Sequence, residues 1–168
     1  LPRGERECID MKNRMVRHVI GLLPIGHFYY WEQFPDLREM GMRMFDKLRR
    51  NLERIGEVLS PDLVDTMEKA QGAGRFFSEN TIDLLVVFPF GYTPSMCVVP
   101  AVQHLDLPLR ILNAHENSSY DYKSADTTVY LHHEGVCCVP EIAGALVGIG
   151  KTFRVITGHF GDQRLWEE

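Results

Sequence analysis

Apolar residues in this chain come in short unbroken runs separated by amphipathic stretches. The main runs are Val19 to Leu23, Asp83 to Phe88, Leu109 to Leu112 and Phe153 to Thr157. A run with no polar alternation fits a strand buried on both faces, as in a parallel sheet. Glu57-Val58-Leu59 reads as a further, shorter strand. After the first strand, Leu37, Met40, Met44, Leu48, Leu52 and Ile55 recur at helical spacing. They predict a helix over about 36–54 with one apolar face. Arg43, Lys47, Arg50 and Arg54 fall off that stripe and form its solvated face.

Local signals place the remaining elements. Asp65 with Glu68 three residues later resembles a capping box and predicts a helix over about 66–79, weakened by Gly72 and Gly74. Thr93-Pro94 reads as an N-cap followed by proline at the first helical position, opening a helix that runs to about His104. Ala114 to Asp126 has loop composition, and Thr127 to Leu131 reads as a short strand. Pro140 is expected to start a last helix ending at Gly148 or Gly150. Strands alternating with helices imply βαβ units with right-handed crossovers. The expected fold is a doubly wound, flavodoxin- or Rossmann-like α/β domain with five parallel strands in the order 2-1-3-4-5. Residues 17–157 form that domain, 1–16 an N-terminal extension, and 158–168 the start of a connection to a further domain. The missing initiator Met and the helix-like close at Trp166-Glu167-Glu168 point to a piece of a longer protein.

Composition narrows the classes. The 168 residues are 45% hydrophobic and 24% charged, enough apolar surface for one folded domain. A net charge of −5 argues against nucleic acid or an anionic membrane as partner. No apolar run approaches the roughly 18 residues needed to span a bilayer. Leu1 to Arg17 has no apolar signal-peptide core. Cys8, Cys97, Cys137 and Cys138 match neither a CxxC motif nor a disulfide framework, which suits reduced thiols in the cytoplasm.

In open α/β sheets ligands bind outside the carboxyl ends of the strands. The segments expected there hold His27, Tyr30 and Trp31 after the first strand, Tyr92 after the third, His115 after the fourth, and His159 after the fifth. His132 and His133 lie in the segment before the last helix. Imidazoles and aromatic rings at this density suit a sugar or another polar small molecule. They suit equally a plug against a neighbouring domain or subunit. No GxGxxG, Walker A or GxSxG motif is present, which argues against dinucleotide, nucleoside triphosphate and serine-hydrolase chemistry. His27, His115, His159 and Asp162 could converge as metal ligands, but no fixed spacing marks them, and neutral histidines often serve as hydrogen-bonding plugs.

Several segments resemble the N-terminal domain of the L-arabinose/L-fucose isomerase-like sugar isomerases. Gly26-His27-Phe28-Tyr29 is similar to that family's Gln-His-Leu-Tyr loop. Leu85 to Met96 resembles its strand, Phe-Ser-Pro turn and following helix, and Pro108 to Asn113 its Lys-Pro-Leu-Leu strand. Val155 to Asp162 resembles Val-Val-Thr-Gly-His-Trp-x-Asp. The resemblance implies a cytoplasmic homo-oligomer in which this domain binds sugar and closes a neighbour's active site. It matches His27 to a loop histidine beside the substrate, and places His132 or His133 near the family's Asn-Gln-Thr-Ala-His segment. It also implies Mn²⁺ or another divalent ion held by carboxylates of later domains, with no cofactor and no isomerisation by this chain alone. Gly26 in place of the loop glutamine, and Glu134 to Cys138 in place of Thr-Ala-His-Gly-Gly, depart from the pattern and imply a substrate other than arabinose. The other expectation is a non-catalytic sugar-binding or regulatory module of the same fold.

Overall fold

A computed structural model describes residues 17–133 and 135–167. The N-terminal extension and Glu134 therefore lie outside the described residues. Five strands form one all-parallel sheet in the order β2-β1-β3-β4-β5. They are β1 (His18–Ile25), β2 (Gly56–Leu59), β3 (Leu84–Pro89), β4 (Leu109–His115) and β5 (Arg154–His159). Pairings such as Ile20 with Leu84, and His115 with His159, fix the register. The doubly wound architecture and its strand order agree with the sequence pattern.

Side chains of successive strand residues enter two separate cores, because a strand alternates faces at every step. Leu23, Ile25, Leu85, Val87, Leu109 and Ile111 fill one, against Ala70, Ala73, Phe77 and Ile142. Ile20, Leu22, Val86, Phe88 and Leu112 fill the other, against Met44, Phe45 and Leu48. This two-faced burial is the reason β1, β3 and β4 read as unbroken apolar runs; β5, at the edge of the sheet, has no buried residue although its sequence reads the same way. The helices are α1 (Tyr29–Gln33), α2 (Pro35–Leu52), α3 (Met67–Glu79), α4 (Val99–Val102), α5 (Thr127–His132) and α6 (Gly135–Gly148), and those partners come from α2, α3 and α6.

Four local expectations are corrected. Thr66, not Asp65, caps α3 by accepting from the Lys69 N–H, and Asp65 turns inward instead. Thr93 is not a cap. Its buried hydroxyl bonds the Gly91 carbonyl, and the segment after it is a 3-10 turn (Ser95–Cys97) followed only by the four-residue α4. Thr127 to Leu131 is helical, because the Asp126 side chain accepts from the Val129 N–H and opens α5. Pro140 lies inside α6, which begins at Gly135. The end of α6 follows expectation: Gly150 takes φ +74°, and the Lys151 and Gly150 N–H groups return to the Leu146 and Val147 carbonyls.

Candidate functional site

Because all five strands run the same way, their carboxyl ends share one edge. His27 follows β1, Tyr92 follows β3, and His115 and His159 end β4 and β5. The structure sorts the candidates into two groups along that edge. His27 and His159 stand three strands apart in the sheet, roughly 14 Å by ordinary strand spacing, so one small ligand does not bridge them.

The first group surrounds His27. Its ring meets Tyr29, Tyr30 and Tyr92 edge-on, at centroid distances of 5.3, 5.0 and 6.4 Å. Desolvation lowers the His27 pKa, so the ring is neutral near pH 7. Burial raises Tyr92, helped by Glu141. Trp31 is the anchor of this turn and not a ring in the cluster. Its indole lies against Gly26, and its Nε1 donates to Asp65 at 2.8 Å. Asp65 is buried and also accepts from Lys69 Nζ at 2.6 Å. Sequence reasoning missed Asp65 as a site-supporting residue because its spacing to Glu68 imitates a cap.

The second group lies beyond β4. His115 and His133 stack at 5.1 Å with 22° between their planes, and Tyr120 covers His133 at 4.6 Å. His132 stands edge-on to His133 and turns into the core, where Nε2 lies 2.9 Å from Met44 Sδ. Burial lowers His132 to about 4, with His133, His115 and Arg43 adding to the effect and the Phe90 backbone opposing it. His115 is also lowered, by burial and then by His133. Asn113 Oδ1, His132 Nδ1 and His133 Nε2 are buried without a hydrogen-bond partner. Two adjoining open depressions, of about 380 and 350 Å³, share Asn117, Ser119, Tyr120 and His133. His159 is the register partner of His115 on the neighbouring strand. Its Nδ1 accepts from the Gly161 N–H. A further depression of about 330 Å³ between α3 and α4 lies toward the amino ends of the strands, where parallel sheets do not place ligands.

Three carboxylates near this edge have local partners. Asp121 accepts from the Lys123 N–H and the Ser124 hydroxyl, Asp126 caps α5, and Arg164 pairs with Asp162 and holds its pKa down. Among the described residues no three His, Cys, Asp or Glu side chains converge as a metal cage would require. A hard divalent ion wants several oxygen ligands, and the described residues here do not fit one.

No protein-family model matches this chain, and no curated protein gives a significant match. Fold and site together define a flavodoxin-like α/β domain with a histidine- and tyrosine-lined depression at the carboxyl edge of its sheet. No helix among the described residues is long and apolar enough to cross a membrane.

Proposed function

We propose that this chain is the N-terminal, substrate-contacting domain of a cytoplasmic, metal-dependent aldose–ketose isomerase-like protein, and that its ligand is a sugar. The carrying observation is the His115–His133–Tyr120 depression, whose rings and buried acceptors stand at the edge where α/β sheets take ligands. Aromatic rings pack on sugar C–H groups, while imidazole nitrogens exchange hydrogen bonds with hydroxyls. The capped and paired carboxylates support a role in binding and closure, with the isomerising metal held by other domains. The exposed Phe28 and Tyr29, in tilted contact at 3.9 Å, supply an aromatic anchor for self-association of the kind that dominates interfaces. Buried Cys97 and Cys138, raised to about 11 and about 12 chiefly by desolvation, are unreactive thiols of the core.

The test is a titration with a panel of aldoses and ketoses, read on the imidazole NMR signals. Saturable shifts confined to His115 and His133 support the reading. Shifts of equal size at His18 and His104, far from this edge, would mean non-specific contact and sink it.

A further inference from the structure

The two edges of the sheet are finished differently. β2, at one edge, has four residues, carries Glu57 and ends just ahead of Pro61. A short strand, a charge and a proline are the usual guards against pairing with another chain. β5, at the other edge, has six residues, no proline, and no charged residue between Arg154 and His159. Its centre, Val155-Ile156-Thr157, is a β-branched run of the kind that suits a paired strand. Yet α6 packs over β4 and leaves Val155 39% exposed.

The backbone shows what this edge offers. The Phe160 N–H donates to the His115 carbonyl of β4 at 2.9 Å. Successive residues of a strand turn their backbone groups to alternate sides, so Gly158, Ile156 and Arg154 also face β4. Val155 and Thr157 therefore direct their N–H and C=O groups away from the sheet, where no strand meets them. A hollow of about 230 Å³ is lined by Ile156, Thr157, Asp162, Arg164 and Leu165. The side chains of Ile156 and Thr157 stand on opposite faces, so a hollow that touches both runs along the rim of the strand.

Charge selects the occupant. Lys151 and Arg154 stand at the amino end of β5, while the segment after its carboxyl end carries Asp162 and Glu167 against Arg164 alone. A copy of β5 laid parallel would set like ends together. An antiparallel copy sets opposite ends together and closes about a two-fold axis. With Ile156 on that axis, Val155 of each copy faces Thr157 of the other, and the free N–H and C=O groups of both residues exchange hydrogen bonds. Arg154 then lies opposite Gly158 of the second copy, toward its acidic end.

We propose that β5 is a dimer interface, through which two copies of this chain pair antiparallel and join their sheets into one. The inference goes beyond the sugar reading and does not rest on it. It is also separate from the Phe28–Tyr29 surface, because β1 and β5 stand three strands apart in the sheet. Growth through that surface builds on the dimer.

The experiment is sedimentation of the whole chain carrying Tyr29→Ser, which takes the aromatic surface out of the measurement. Two chains per particle are expected at micromolar concentration. Val155→Lys sets a charge on the rim and should raise the dissociation constant at least about tenfold. Thr157→Pro removes an outward N–H where an edge strand tolerates proline, and should do the same. An unchanged far-UV spectrum shows that both variants fold. Register is read by cysteine pairing, with Cys137→Ser to silence that exposed thiol. Ile156→Cys, on the axis, should form a disulfide between chains on oxidation, since the Cα atoms of such a facing pair lie about 4.5 Å apart. Arg154→Cys, which faces Gly158 and not itself, should not. A single chain per particle, a dimer that neither Val155→Lys nor Thr157→Pro weakens, or no preference for the Ile156→Cys crosslink would overturn the proposal.

Discussion

At the scale of single residues, two positions have consequences opposite to what their type suggests. Gly41 lies in the middle of α2, where alanine would ordinarily add about 0.5–1 kcal/mol. Here a Cβ would run into the Phe90 ring, which packs directly on the helix backbone. Phe90 is buried among Phe45 and Phe88 and has little room to yield. Overpacking of this kind costs about 1–3 kcal/mol, which outweighs the propensity gain. Gly41→Ala is therefore expected to lower the urea midpoint, and a raised midpoint would refute the close packing. His132 ties stability to pH. Its folded pKa of about 4 lies below the ordinary 6.5, so between those values the unfolded chain binds more protons. Its contribution is complete above pH 6.5 and is lost as the pH falls toward about 4, at up to about 1.4 kcal/mol per unit. His132→Gln should flatten that part of the stability profile relative to the parent. Parallel profiles of parent and variant would remove His132 as the cause.

At the scale of elements, α1 shows how little holds a functional turn. Its five residues bury none of their number, and its fixed point is the Trp31 indole on Asp65. A hydrogen bond to a charged acceptor contributes about 1.5–3 kcal/mol, comparable to the whole stability of so short a helix. Asp65→Ala is expected to raise amide exchange across Tyr29–Gln33 by at least about tenfold, with β1 unchanged. Unchanged exchange in α1 would assign its order to some other contact. The elements also show what the sequence could carry. Strands and α2 were legible because burial imposes period and length. The polarity of Thr127–His132 was not, since two threonines and a valine imitate a strand, and only the Asp126 cap decides for helix. Thr93-Pro94 failed for a similar reason: Pro94 is extended, and the Thr93 hydroxyl closes on Gly91 behind it. Pro140 removes one internal hydrogen bond from α6, a local loss that buried Cys138, Ile142 and Leu146 offset.

At the scale of the whole molecule, the shared edge of the candidates followed from strand direction alone. Their division into two groups did not, because it depends on how far apart β1 and β4 stand in the sheet order and on which way each ring turns. Two predictions belong here. With added Mn²⁺ and a panel of aldoses, this chain by itself should form no ketose, since Asp121, Asp126 and Asp162 are engaged in caps and an ion pair. Metal-dependent turnover abolished by a chelator would place catalytic carboxylates among them. In light scattering, the apparent mass should rise with concentration through the Phe28–Tyr29 surface, and Tyr29→Ser should suppress the rise. A strict monomer at high concentration would discard that surface as an interface.

The interior place of β1, paired on both edges, also governs how the chain can be made. Its neighbours are β2 and β3, and Ile20 meets Leu84 only across the intervening helices. Parallel strands cannot close through a tight hairpin, so no local nucleus exists for the middle of the sheet. During synthesis β1 emerges first and waits for the polypeptide up to β3 before its second edge is covered. Through that interval Leu22 and Leu23 face water or a chaperone. Refolding should accordingly be slower than for a helical bundle of equal length, and its rate should respond more to substitutions in β1 and β3 than to any in α5.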